Sequence, residues 1–210
     1  MTQTKAIFLD ALGTLVELEP PWVGLRKALG EGVADDRLVA AVRAEMAYYK
    51  AHSHEGRDTE SLDDLRRRSA EVLSRELGTE VEVGTLVDSI RFTPYPDAAP
   101  ALEGLRELGL KRVCVSNWDC SLGAVLERCG LATHLDGVVS SAEAGAQKPD
   151  PAIFETALKF AGVAAAEAIH VGDTREEDIA GAEAAGIRAL LLDREGGGDI
   201  ASLEEVAGKL

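Results

Sequence analysis

Apolar residues are distributed along this chain in two different ways. Short apolar runs occur at Ala6–Leu9, Arg112–Ser116, Gly137–Ser140, Ala168–Gly172 and Arg188–Leu192, most of them edged by charged or turn-forming residues. Runs of this length suit strands of a parallel sheet that is buried on both faces. Between them the spacing is helical. Helices are expected at Ala98–Leu108, entered through Asp97 as N-cap and closed by Gly109, at about Leu122–Cys129, and from Pro151 to about Phe160 behind an Asp150 cap. Two more are expected at Ile179–Ala185 and near Ile200–Ala207. Alternating strands and helices imply a parallel sheet with helices on both faces.

Residues 16–92 read differently. Leu38, Val42, Met46 and Tyr49 fall on one helical face, as do Leu62, Leu65, Val72, Leu73 and Leu77, with Gly78 placed to end the second helix. No buried strand stands out here, Arg66-Arg67-Arg68 reads as a solvated face, and Thr93-Pro-Tyr-Pro96 forms a turn-rich junction back to the alternating pattern. The expected organisation is therefore an α/β core from residues 1–15 and 93–210, with an all-helical insertion at 16–92 lying over the carboxyl edge of the sheet as a cap.

Composition narrows the partners. The 210 residues carry 22 basic and 37 acidic side chains, a formal net charge of -15. Such a surface argues against non-specific binding to nucleic acid or to an anionic membrane, and it obliges an anionic substrate to find a local positive site. Aromatics make up only 4%, so aliphatic and alanine packing must build the core. Three cysteines, Cys114, Cys120 and Cys129, are odd in number and show no metal-binding spacing, which suits reduced thiols in a cytoplasmic protein. No signal-like apolar region opens the chain, and no run is long enough to span a bilayer. Gly196-Gly197-Gly198 reads as a flexible loop.

Chemistry gathers at the strand ends. Asp10 follows the first run, with Gly13 and the Thr14 hydroxyl just beyond it; Ser116 and Asn117 end the second strand; Lys148-Pro149 follows the third; Asp173 ends the fourth, with Asp178 five residues on. The carboxyl ends of parallel strands are where open α/β sheets bind ligands. Asp10 and Asp173 suit a hard divalent cation such as Mg²⁺. Lys148 can balance carboxylate and phosphoryl charge, Ser116 can hold phosphoryl oxygens, and Asp10 can act as a nucleophile through an aspartyl intermediate.

In order and spacing, Asp10-x-x-Gly-Thr-Leu15, Ser116-Asn117, Lys148-Pro149 and Gly172-Asp173 followed by Asp178 resemble the motifs of the haloacid dehalogenase (HAD) superfamily of hydrolases. The wording Ser116-Asn117-Trp118-Asp119, Lys148-Pro-Asp-Pro-Ala-Ile-Phe154 and His170-Val-Gly-Asp173 is similar to a phosphatase-like branch with small helical caps. The resemblance implies a Rossmann-like core, an inserted cap and Mg²⁺-dependent phosphoryl transfer to water. It also implies catalytic roles for Asp10, Thr14, Ser116, Asn117 and Lys148, with metal ligation by Asp10, the Leu12 backbone carbonyl, Asp173 and Asp178. Trp118 is expected to wall the substrate pocket, and the substrate to be a small phosphorylated molecule.

One departure matters. Phosphatases of this family carry an acid/base aspartate two residues after the nucleophile, where this chain has Leu12. Losing a general acid costs about 10²–10⁴-fold, and the loss should be largest for alkyl phosphates with poor leaving groups. A non-acidic residue at this position also resembles the 2-haloacid dehalogenases, whose aspartate displaces halide without metal. Against that, Asp173 and Asp178 crowd negative charge around Asp10 and would repel a haloacid unless a cation intervened. A weakly active or inactive phospho-ligand binder is the third reading. His52-x-His54 is expected in an exposed loop, and His170 as a packed strand residue.

Overall fold

The computed structural model describes residues 3–210. In chain order its elements are β1 (Ala6–Leu9), β2 (Val16–Leu18), α1 (Pro21–Leu29), α2 (Asp35–His52), α3 (Thr59–Leu77), α4 (Val83–Ser89), β3 (Phe92–Pro94), α5 (Ala98–Glu107) and β4 (Lys111–Ser116). They continue with α6 (Leu122–Arg128), β5 (Gly137–Ser140), α7 (Ser141–Ala144), α8 (Pro151–Ala161), β6 (Ala168–Gly172), α9 (Ala180–Ala184) and β7 (Arg188–Leu191), joined by short 3₁₀ turns.

Five parallel strands form the sheet in the order β5-β4-β1-β6-β7. β1 is central, and successive strands add outward on either side of it, as in Rossmann-like sheets, where ligands bind at the carboxyl end of the switch point. Its four residues are wholly buried. Period-2 alternation sends Ile7 and Leu9 into one apolar cluster with Leu102, Leu126 and Val206, and sends Ala6 and Phe8 into the other with Ile153, Phe154 and Ala157. The sheet thus has a helical layer on each face, as its apolar runs require.

The inserted helices have a core of their own, built on Leu25, Leu38, Val42, Leu73, Leu77 and Leu86. α3 starts in a capping box in which the Asp58 carboxylate accepts from the Ser61 N–H, and it ends at Gly78 with φ 67.

Several expectations need correction. The segment between β1 and α5 is not wholly helical, because β2 and β3 pair antiparallel across its two ends. Each strand has only three residues, too short to show a period-2 pattern. Asp97 does not cap α5; its carboxylate instead accepts from Arg194, the Ser202 hydroxyl and the Leu203 N–H, tying down the C-terminal segment. That segment is a 3₁₀ helix at Leu203–Lys209 rather than an α-helix over 200–207. The helix expected from Ile179 starts earlier, as a π-helical turn at Arg175–Ile179 that runs into α9. Of the three arginines, only Arg67 lies on an open face; Arg68 is half-buried between Tyr48 and Glu55, and Arg66 lines a cleft. His52 is not in an exposed loop but stacks on Tyr48 at 4.1 Å. All three cysteines are unpaired. Among the described residues, no helix is long and apolar enough to cross a membrane.

Candidate active site

Asp10 leaves β1 with its N–H bonded to the Val171 carbonyl of β6 at 2.9 Å, which fixes the strand end. The chain then turns at Gly13, whose φ of 87° favours glycine. A Cβ there would stand 2.1 Å from Asp173 Oδ2, so the missing side chain is what lets Asp173 approach. Gly172 does the same for Asp178, whose Cγ would lie 2.1 Å from a Cβ.

A continuous chain of hydrogen bonds joins the strand ends. Asp10 Oδ1 accepts from Ser116 Oγ at 2.9 Å and from Lys148 Nζ at 2.5 Å. The same ammonium donates to Asp178 Oδ1 at 2.6 Å. His170 Nε2 donates to that oxygen at 2.9 Å; the carboxylate can only accept, so this ring nitrogen carries the proton. Asp178 Oδ2 accepts from the Thr174 N–H and hydroxyl at 3.0 and 2.7 Å. The π-helical turn presents Asp178 back toward Thr174, as such turns often do at sites. Asp10, Lys148 and Asp178 are all buried, so these bonds are what make their charge tolerable.

The environment shifts each group. Burial pushes Asp10 up to about 6, against the pull of Lys148 and with Asp178 adding to the push. Burial also opposes charge on Lys148, yet Asp10 and Asp178 hold its ammonium above the ordinary lysine range. Burial acts likewise on Asp178, but Lys148 and His170 keep it well below the usual carboxylate range. Asp173 is raised by burial and then by Asp178.

Asp10, Asp173 and Asp178 each present an oxygen, and these oxygens lie within 4.8 Å of one another. Such a set of hard oxygen donors fits Mg²⁺. Among the described residues nothing donates to Asp10 Oδ2, which leaves it free, and no backbone N–H donates to the Leu12 carbonyl, which leaves that oxygen open for ligation. Asp178, expected from the sequence to ligate metal, already accepts four hydrogen bonds, which leave it little room as a direct ligand.

The other expected residues divide. Asn117 lines the cleft, but its amide brackets the backbone of Lys148: Oδ1 accepts from the Lys148 N–H at 2.7 Å, and Nδ2 donates to the Lys148 carbonyl at 2.9 Å. Trp118 does wall the cleft, with its ring against Phe92 at 4.9 Å and its backbone bonded to Ser141 Oγ. Thr14 is fully buried and lines no part of the cleft, and among the described residues its hydroxyl has no partner. His170 is a packed strand residue, edge-on to Phe154, and it also holds Asp178.

The cleft has a volume of about 490 Å³ and lies between the strand ends and the inserted helices. Exposed Leu12 lines it, as do Leu18, Met46, Leu86, Ile90 and Val125. α2 is latched to the strand edge. Tyr49 donates its hydroxyl to Asp119 at 2.7 Å, Lys50 pairs with Glu177 at 2.7 Å, and the Gly56 carbonyl accepts from the Cys120 N–H at 2.8 Å. Sequence reasoning missed these latches and also missed Glu45 and Ser69, which line the helical wall. The one available signal was a glutamate on the otherwise apolar face of α2 beside Leu38, Val42 and Tyr49.

A family model described as haloacid dehalogenase-like hydrolase matches residues 4–186, and the chain belongs to that family. A mouse protein named haloacid dehalogenase-like hydrolase domain-containing protein 3 is 31% identical over 215 residues, covering 90% of this chain and 82% of that protein. Its zebrafish namesake is 43% identical over 103 residues, 49% of this chain and 43% of its own length. A phosphoserine phosphatase from Thermus thermophilus is 41% identical over 105 residues, 50% of this chain and 42% of the other. The chain thus spans less than half the length of several relatives it matches. Among solved structures, a HAD phosphatase from Thermococcus onnurineus superposes with a TM-score of 0.70 at 23% identity, covering 98% and 97% of the two chains. The L-2-haloacid dehalogenase from Xanthobacter autotrophicus gives 0.72 at 23% identity, covering 97% of each. At these identities the likeness establishes the fold, which phosphatase and dehalogenase share.

Proposed function

We propose that this hydrolase is a metal-dependent phosphatase of small phosphate monoesters, with Asp10 as nucleophile. The carrying observation is the close approach of the Asp10, Asp173 and Asp178 oxygens. One ammonium, Lys148, faces three carboxylates there, so an anionic substrate needs further positive charge. Phosphatases among the relatives agree with this reading.

Asp10, Asp173 and the Leu12 carbonyl would hold Mg²⁺, which supplies charge neutralisation for the phosphoryl oxygens. Asp10 Oδ2 forms a bond to phosphorus as the ester oxygen leaves with the bonding pair, and water then hydrolyses the aspartyl-phosphate. Ser116 and Lys148 hold Oδ1 fixed while Oδ2 reacts. Lys148 also offers charge to the phosphoryl group, Asn117 sets its backbone, and Asp178 with His170 sets its ammonium. No side chain at position 12 protonates the leaving oxygen, so substrates with acidic leaving groups are favoured. We assign residues 16–92 as the cap that excludes water from the site, and the free thiols and acidic surface fit a cytoplasmic setting.

The dehalogenase reading keeps one observation in its favour: Leu12 is non-acidic and faces a largely apolar cleft. Leu12→Asp separates the two. As a phosphatase, the natural chain releases phosphate from an aryl ester far faster than from an alkyl ester, and Leu12→Asp raises the alkyl rate by about 10²-fold or more. Equal aryl and alkyl rates in the natural chain, or no phosphate from either protein, would overturn the proposal.

A further inference from the structure

The helical wall of the cleft holds a polar pair that the proposed reaction leaves unused. Glu45 is 4% exposed and Ser69 2%, and both line the cleft. No lysine, arginine or histidine pairs with Glu45 among the described residues. The Ser69 hydroxyl adjoins that carboxyl and acts on it as a hydrogen-bond donor, though among the described residues it makes no hydrogen bond of good geometry. A buried carboxyl with no basic partner and a buried hydroxyl with no well-formed hydrogen bond are each costly. Burial pushes Glu45 up to about 7, against the pull of the Ser69 hydroxyl.

Position along the cleft follows from α2. Tyr49 and Lys50 latch that helix to Asp119 and Glu177 at the strand edge. Glu45 lies one helical turn before Tyr49, about 6 Å along α2. Met46 from the same helix and Leu86, Val87 and Ile90 from the neighbouring segment line the same cleft. Trp118 and Phe92 add apolar walls to the cleft, which Asp10 also lines.

We infer that Glu45 and Ser69 form a leaving-group subsite that selects phosphate monoesters with an apolar body and a hydrogen-bond donor, hydroxyl or amine, at the far end. The inference deepens the phosphatase reading and rests on it for the phosphate end of the ligand. A donor at that end satisfies Glu45 and can be shared with Ser69 Oγ, whereas a methyl group there leaves the carboxyl with no partner but the Ser69 hydroxyl. Sites built to hydrogen-bond a ligand reject the isostere that cannot, because their own polar groups are then left without partners.

The test compares 4-(hydroxymethyl)phenyl phosphate with 4-methylphenyl phosphate, and titrates the two parent phenols by calorimetry without metal. We expect kcat/KM to favour the hydroxymethyl ester by about 10–100-fold, the size of one or two charge-assisted hydrogen bonds. The ratio should fall close to one in Glu45→Ala and to an intermediate value in Glu45→Gln and Ser69→Ala. A ratio within one protein is insensitive to how much of that protein is folded. Equal kcat/KM values in the natural chain, or a preference that survives Glu45→Ala, would overturn the subsite. If neither ester releases phosphate, the phosphatase reading fails and the phenols decide the subsite. Tighter binding of 4-(hydroxymethyl)phenol, lost in Glu45→Ala, then supports it, and equal or absent binding removes it.

Discussion

The two walls of the cleft handle buried charge in opposite ways. On the strand side, Asp10, Lys148, Asp178, His170 and Thr174 answer one another in an unbroken line of hydrogen bonds, and Asn117 pins the backbone of the lysine. On the helical side, Glu45 and Ser69 are as deeply buried, but among the described residues no basic group pairs with Glu45 and Ser69 makes no well-formed hydrogen bond. A closed network fixes its groups before any ligand arrives, which is what preorganised catalysis requires. An open pair stays costly until something from outside completes it. The contrast assigns chemistry to the first wall and choice of leaving group to the second.

Substitutions on the strand side should have the largest effects. Asp10→Asn removes the nucleophile and is expected to lower phosphate release on the order of 10⁴-fold or more, read as kcat, while the Glu45-dependent binding of phenols persists. Lys148→Met should lower kcat by about 10²–10³-fold. It also leaves Asp10 and Asp178 facing each other without a cation, so denaturant unfolding should show a loss of about 3–5 kcal/mol. Activity loss with unchanged stability would mean the network is less closed than the distances say.

Glu45 should behave in the reverse sense. Its carboxyl titrates near 7 in the folded chain and near the ordinary 4.5 when unfolded. The folded state therefore holds the proton more tightly, and stability is full below about 4.5 and declines as pH rises through 7. At about 1.4 kcal/mol per pH unit, the decline amounts to about 3 kcal/mol by pH 8. Glu45→Gln should match the natural chain at pH 4.5 and exceed it in thermal stability at pH 8. A constant difference across that range would show that the carboxyl is not suffering from burial. The smallest effect is expected at the latch. Tyr49→Phe removes one hydrogen bond to Asp119, which keeps the Ser121 N–H, for about 1 kcal/mol in unfolding free energy.

Much of the strand side was legible in the sequence because its residues follow strands. Apolar runs such as Ala6–Leu9 end in a polar group, and parallel strands must bring those ends to one edge, so Asp10, Ser116, Lys148 and Asp173 could be grouped before any coordinates. What Asp178 and Asn117 bond to was not legible, since that depends on a π-helical turn and on which backbone atoms meet. Thr14 shows the limit of motif spacing: two residues past the open Leu12 carbonyl, it is fully buried and lines no part of the cleft. The helical side was harder. Helical periodicity identified α2 and α3 but not how they are rotated over the sheet, so the approach of Ser69 to Glu45, 24 positions apart, left no sequence signal. The three-residue strands β2 and β3 were invisible for want of length.

The most direct measurement follows phosphate from 4-nitrophenyl phosphate and halide from 2-chloropropionate in parallel, on the natural chain, with Mg²⁺ and again with chelator. We expect phosphate release that chelator abolishes, and no halide under either condition. Halide release indifferent to chelator, with no phosphate, would contradict the metal-dependent phosphatase and assign the Asp10 nucleophile to carbon instead of phosphorus.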